Sequence, residues 1–247
     1  MLTDPLHFLY ISHPILTTDI VHVLVTILIL LIICYFAVSF TKLYLYARNK
    51  KNHGGMNNKL RWYFGWHYYE IDIPPMFYSP YYQQTHNLGV QYLPYFPTLD
   101  DPVLRQIAED FDELMKGRTD NYKILCLQAM VQQNVRYVSD VDRFGKENVW
   151  CFPIQTLITK MGDCEDSAIL YVSLATLIGL DATFFYYSTH TYAGVYLDIG
   201  CAFYPLELTK YCPGFLPSSN VKGAAVIFPS EPTETFKQGL YKYWNRS

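Results

Sequence analysis

Met161-Gly162-Asp163-Cys164-Glu165-Asp166-Ser167, followed by the apolar run Ala168 to Leu180, decides how the chain is read. Gly162 is a turn residue and Asp163 a helix N-cap type. Behind them Ala168, Ile169, Val172, Ala175, Leu177 and Ile178 recur at helical spacing until Gly179. The stretch predicts a buried helix with Cys164 on its first turn. Unpaired N–H groups and the positive end of the helix dipole gather there, and both favour the thiolate, the form that attacks carbonyls. Glu165 and Asp166 read as first-turn acids that suit the same dipole, and they are given no catalytic role.

Downstream the hydrophobic period changes from helix to strand. Thr183 to Tyr187, Tyr192 to Leu197, Ala202 to Leu208 and Ala224 to Phe228 are β-rich runs, so a helix followed by antiparallel strands predicts an α+β domain. A nucleophilic cysteine needs an imidazole to take its proton, and the imidazole needs a third group to hold its tautomer. His7, His13 and His22 lie at the N-terminal end, His53 and His67 flank a polar hinge, and His86 falls in a proline-rich arm. His190 is the histidine placed on the predicted sheet, at the start of the strand after the Cys164 helix. Asp198-Ile199-Gly200 marks the next turn. A turn centred between Asp198 and Ile199 makes opposed residue numbers sum to 397 and sets Glu207 across from His190. A three-residue loop would turn Glu207 to the other face. For the oxyanion, the Cys164 N–H is a candidate donor, with Trp150, Gln155 or Tyr137 as a second.

Upstream of the motif the chain is helical. Asp100-Asp101-Pro102 opens a run with Leu104, Ile107, Ala108, Phe111, Leu114 and Met115 on one stripe, ended by Gly117. A second helix is expected from about Asn121 to Tyr137 behind Thr119 and Asp120, with Ile124, Leu127, Val131 and Val135 facing the core. Ser139 to Asn148 reads as a polar loop, and Pro153 to Ile158 as a short helix that delivers the chain to Gly162.

The N-terminal part has a different character. Ile20 to Thr41 is 22 residues without a formal charge, rich in Leu, Ile and Val, and long enough to span ~30 Å of hydrocarbon. It is expected to be a single transmembrane helix, with the lipid bilayer as partner. Lys42, Arg48, Lys50 and Lys51 follow it, and Met1 to Asp19 holds no Lys or Arg, so the charge bias places the C-terminal bulk on the cytoplasmic side. The expected organisation is a short segment (1–19), the transmembrane helix (20–41), a basic hinge (42–61), an aromatic and proline-rich arm (62–99), a catalytic domain (100–215) and a C-terminal extension (216–247). The cluster Trp62 to Tyr69 could lie at the bilayer interface or cover the domain core, and core cover is favoured.

Composition narrows the function. The formal net charge is −3, but from Glu70 onward 13 basic residues face 20 acidic ones, about −7, which argues against nucleic acid as a partner. The six cysteines form no CxxC pair, so neither a zinc site nor a disulfide framework is expected, and no cofactor or metal is assigned.

Gly162-Asp163-Cys164-Glu165-Asp166-Ser167-Ala168-Ile169-Leu170, His190-Thr191-Tyr192-Ala193-Gly194-Val195 and Tyr204-Pro205-Leu206-Glu207-Leu208-Thr209 together resemble the transglutaminase-like superfamily of papain-type cysteine enzymes. Val135 to Asp140 and Phe152 to Leu157 are similar to its archaeal and bacterial cysteine peptidase-like branch, so the resemblance spans roughly residues 101–215. It implies a papain-like core in which the nucleophile's helix packs on an antiparallel sheet. It also implies Cys164 as nucleophile, His190 as acid/base and Glu207 as the orienting acid, where many relatives carry Asp. The implied activity is a thiol peptidase or amidase acting on a peptide or protein substrate. A cross-linking transamidase and an inactive membrane-anchored scaffold are the alternatives.

Overall fold

A computed structural model describes residues 22–35, 58–75, 79–81, 85–86, 90–187, 189–197, 202–210, 214 and 222–230. The chain divides into two units, Met1–Arg48 and Asn49–Ser247. In the first unit 22–35 is helical (α1) and every residue of it is exposed. Positions 20–21 and 36–41 of the expected transmembrane helix lie outside the described residues, as does 42–57 of the basic hinge. Fourteen described helical residues rise about 21 Å, short of a ~30 Å hydrocarbon layer. Among the described residues no helix is long and apolar enough to cross a membrane. The transmembrane helix expected over 20–41 is therefore not established by this architecture.

The second unit is built around the helix that the opening motif predicts. Asp163 caps it, its side chain accepting from the Glu165 and Asp166 N–H groups, and α6 runs Cys164–Leu177. Its residues are apolar on nearly every side, which suits a helix covered all round. Ala168, Ile169, Tyr171, Val172 and Ala175 are all fully buried. One face lies on an antiparallel sheet and the others on helices α2 (Pro102–Leu114), α3 (Asp120–Asn134) and α5 (Pro153–Thr159). The sheet has the order β10-β7-β8-β9, with β7 Ala182–Tyr186, β8 Thr191–Leu197, β9 Ala202–Leu206 and β10 Ala225–Ile227. The observed class is thus mixed α and β, with the cysteine helix against an antiparallel sheet, as the pattern of periods predicts. Gly194 in β8 has a packing reason: a Cβ there would stand 2.4 Å from Phe185 Cε2.

The remaining helices start where capping chemistry predicts. Asp101 accepts from the Val103 and Leu104 N–H groups at the start of α2, and Thr119 accepts from Tyr122 N at the start of α3. Two stretches of the catalytic region depart from the expected elements. Asp140–Phe144 within the expected polar loop is a short helix, α4, capped by Ser139. Arg136–Tyr137 (β4), at the expected end of the second helix, instead pairs in parallel with Met161–Gly162 (β6), so α3 stops at Asn134.

The aromatic cluster forms a hairpin, β1 Lys59–Phe64 and β2 His67–Asp72. Trp62 covers the core as expected: it is fully buried, stacks on Phe111 with centroids 6.0 Å apart, and donates from Nε1 to Cys126 Sγ at 3.2 Å. Trp66 at the tip is 78% exposed. α3 holds β1 by its amides. Asn134 Oδ1 accepts from Arg61 N and its Nδ2 donates to Arg61 O, while Gln133 does the same for Tyr63 N and O. These side chains stand in for a neighbouring strand along an edge that β2 does not pair.

Candidate active site

Cys164 opens α6 and is 7% exposed. The backbone before it is drawn close: a Cβ on Gly162 would stand 2.6 Å from Asp166 Cβ, so a side chain at that position has no room. The thiol donates to Glu165 Oε2 at 2.7 Å, and the sulfur accepts from the N–H of Thr191, the residue after His190. The α6 helix start and the β8 start therefore meet at the sulfur.

Its ionisation differs from what the helix start alone predicts. Burial pushes the Cys164 thiol up, the adjacent Glu165 carboxyl and Asp163 push it further, and the Thr191 N–H opposes them. Burial and the neighbouring acids thus oppose the thiolate that a helix start favours.

His190 directly precedes β8. Its ring lies edge-on to Tyr192 with centroids 4.3 Å apart, and Nε2 is 3.6 Å from Glu207 Oε2. That distance is longer than a formed hydrogen bond, and His190 Nε2 has no hydrogen-bond partner. The hairpin register differs from the expected one. Leu197 faces Ala202 and Ala193 faces Leu206, so opposed numbers sum to 399. The loop has four residues but is centred one position later than the Asp198-Ile199 midpoint, which moves Glu207 by two residues along the strand. A shift of two preserves the face. Glu207 thus reaches His190 diagonally, from just beyond the end of β9.

Glu207 is itself firmly held. Burial raises its carboxyl, but contacts from His190 and Thr209 overcome this and hold it down to about 2. Thr209 supplies two of these bonds to Oε1, from its N–H at 2.8 Å and its hydroxyl at 2.5 Å.

Beneath the motif lies a group of acids, of which the sequence marks Asp166 as a dipole-matched first-turn residue and Asp163 as a helix cap. Asp166 is fully buried, accepts from Cys151 N through Oδ1 at 2.8 Å, and pairs through Oδ2 with Arg143 at 3.1 Å. Asp140 accepts from Val149 N at 2.6 Å, and its Oδ1 has no partner. Burial, then the charges of Glu165, Asp166 and Asp140, push Asp163 up to about 9. Burial likewise pushes Asp166 up to about 7, against the Cys151 N–H and Arg143. Asp140, Asp163 and Asp166 each bring a carboxylate oxygen within 4.8 Å of the others, and these are residues that could hold a cation. A search for cysteine-based metal spacing passes over them, since the three acids come from α4, the α6 cap and α6.

The candidate oxyanion donors separate. Gln155 Oε1 is engaged as an acceptor of Phe152 N at 2.9 Å. Trp150 is buried with its Nε1 unpartnered, and packs edge-on to Tyr186 at 6.3 Å. Tyr137 is 54% exposed, and its hydroxyl is pushed up by burial and by the charges of Cys164 and Asp163. Two grooves, of about 460 and 390 Å³, lie at the other end of α6 around Leu180, Asp181 and Tyr196, away from the sulfur.

No family model matches the chain, and no curated protein matches it. Among solved structures it is similar to Legionella pneumophila LapG in the EGTA-treated form, at 14% identity and a TM-score of 0.40, covering 57% of this chain and 95% of that one. The calcium-bound form of LapG gives 16% identity and a TM-score of 0.39, over 57% of this chain and 97% of that one. A candidate cysteine protease from Cytophaga hutchinsonii gives 18% and 0.36, over 57% of this chain and 53% of that one.

Proposed function

We propose that the chain is a membrane-anchored thiol hydrolase of transglutaminase-like type, a peptidase or amidase acting through Cys164, His190 and Glu207. One observation carries the reading: the α6 start and the β8 start converge on Cys164 Sγ, with His190 beside the Thr191 N–H that the sulfur accepts and Glu207 3.6 Å from His190 Nε2. A cysteine, an imidazole and a carboxylate in that order have the chemistry of a thiol acyl-transfer site.

In this mechanism the thiol first leaves Glu165 and passes its proton to His190. The sulfur attacks the amide carbonyl, forming a C–S bond while the carbonyl oxygen takes up the negative charge. The Cys164 N–H and the unpartnered Trp150 Nε1 are the donors best suited to that charge. His190 returns the proton to the leaving amine as the C–N bond breaks, then takes one from water as the water attacks the thioester. The C–S bond then breaks, the carboxylic acid product leaves, and the proton passes from His190 back to the sulfur. Glu207 orients the imidazole and stabilises its charged form. Capture by a primary amine in place of water would make the reaction a transamidation, and added amine tests which acceptor is used.

Cys164→Ala is expected to abolish both turnover and labelling by a thiol-reactive amide mimic. Retained turnover would end the assignment. A second reading, an unreactive scaffold of the same fold, is favoured by the thiol's contact with Glu165 and its upward shift. The pH dependence of Cys164 alkylation separates the two: the hydrolase gives a reactive thiol that depends on His190, the scaffold one that does not.

Anchoring rests on the charge-free stretch 20–41 and on the exposed Val, Leu and Ile side chains of α1, which need an apolar surround. The C-terminal unit is assigned to the cytoplasmic side by the basic residues that follow. Labelling in right-side-out and inverted vesicles tests that side.

A further inference from the structure

α3 carries four buried amide side chains, and they face two different segments. Gln133 and Asn134 hold β1, as described above. Gln128 and Gln132, fully buried and 5% exposed, face the chain that follows β9. Gln128 Nε2 donates to Glu207 O at 2.9 Å and to Gly214 O at 3.3 Å, and its Oε1 accepts from Gly214 N at 2.8 Å. Gln132 Nε2 donates to Glu207 O at 2.7 Å and to Lys210 O at 2.6 Å. Two separate amides thus converge on one carbonyl, that of Glu207.

The sheet does not do this work. The β8–β9 ladder ends at the pair Ala193 and Leu206, with Pro205 already lacking an N–H to donate, so Glu207 lies past the last paired residue. Beyond a strand end the backbone has no ladder to fix its direction, and a carboxylate there would sample positions on both sides of the sheet. Without Gln132 the Lys210 carbonyl loses that donor and Glu207 O keeps one of two, and without Gln128 both Gly214 main-chain groups lose their partner, so either change loosens the segment.

We propose that Gln132, assisted by Gln128, is a positioning residue for Glu207. It holds the acid's main chain while Thr209 holds its carboxylate, and together they set Oε2 toward His190. The inference rests on the reading of Glu207 as the orienting acid of Cys164 and His190. Gln133 supplies a matched control, since it bonds Tyr63 N and O with the same chemistry from the same helix but serves β1 instead.

The test is a double-mutant cycle on the full chain, read as the rate of Cys164 alkylation by iodoacetamide near neutral pH, resolved by site with mass spectrometry. Gln132→Leu is expected to slow alkylation about tenfold when Glu207 is present, and by less than about twofold in a Glu207→Gln background. Gln133→Leu is expected to change the rate by the same small factor in both backgrounds. Should Gln132→Leu not fold, Gln132→Met keeps the length and volume and takes its place. Equal slowing by the Gln132 variant in both backgrounds would overturn the positioning role and leave the triad reading intact. No effect of Glu207→Gln alone would instead remove the acid's role, and the positioning role with it.

Discussion

At the scale of single residues, the chemistry turns on what surrounds one sulfur. A cysteine at a helix start is expected to ionise easily, yet Cys164 is buried and donates to a neighbouring carboxyl. Glu165→Gln removes the charge that adds to the burial effect. The variant should alkylate several-fold faster at Cys164 near neutral pH, and an unchanged or slower rate would show that Glu165 does not hold the thiol. Glu207 titrates in the opposite sense. Its carboxyl is held down to about 2 despite burial, below an unfolded value near ~4.3, so its charged form stabilises the fold. That stability is present above the unfolded value and is lost as pH falls toward the folded one. Glu207→Gln should cost about 2–3 kcal/mol of unfolding free energy at neutral pH. In urea titrations the gap from wild type should narrow as pH drops from about 5 to about 3. A gap independent of pH would contradict this assignment of the shift.

Cys164 and His190 were legible because each is announced locally, one by a cap and an apolar helical run, the other by its place at a strand start. The nearness of Glu207 to His190 was reached by hairpin arithmetic, beside the resemblance that implied the same residue. The register was off by two, and the inference survived because a shift of two returns a side chain to the same face. Asp140, Arg143 and Asp166 were not legible as a group. Their proximity depends on α4 folding under the motif, and a five-residue helix in a polar stretch leaves almost no periodic signal.

At the scale of elements, α6 and α3 are both buried helices, reached by different sequence routes. α6 is apolar all round and is read directly. α3 shows an apolar stripe through Ile124, Leu127 and Val131, but it also carries Gln128, Gln132, Gln133 and Asn134, whose burial no apolar pattern announces. All four are buried because they complete the hydrogen bonding of strand edges and strand ends, a pairing between residues 70 or more positions apart. Along β8 the close approach of the Phe185 ring favours glycine at 194. Gly194→Ala should destabilise the domain by about 1–3 kcal/mol, read as a lower denaturant midpoint with an unchanged slope. A neutral effect would mean that the Phe185 ring can move aside at little cost.

At the scale of the whole molecule, an apolar N-terminal stretch and an enzyme-like unit share one chain. α1 exposes Leu24, Leu28 and Leu31 at 60%, 57% and 62%. Such a face is stable in lipid and not in water. The full chain should remain with the membrane pellet after alkaline carbonate extraction, and a variant with Leu28→Arg and Leu31→Arg should be released. Release of the unaltered chain would contradict anchoring. The mixed helix and sheet class, the helices α2, α3, α5 and α6 and the strands β7 to β10 were legible from periodicity and caps, because those signals are local. The two-residue pairings of β4 with β6 and of Thr85–His86 (β3) with Trp150–Cys151 (β5) were not, because so short a strand is defined only by its distant partner.

The central claim, that Cys164 is a nucleophile served by His190, is tested most directly by labelling the full chain with a thiol-reactive amide mimic and mapping the adduct by mass spectrometry. The account predicts an adduct at Cys164 in the wild-type chain that falls at least about tenfold in rate in His190→Ala. Labelling of Cys164 at the same rate in both chains would contradict it.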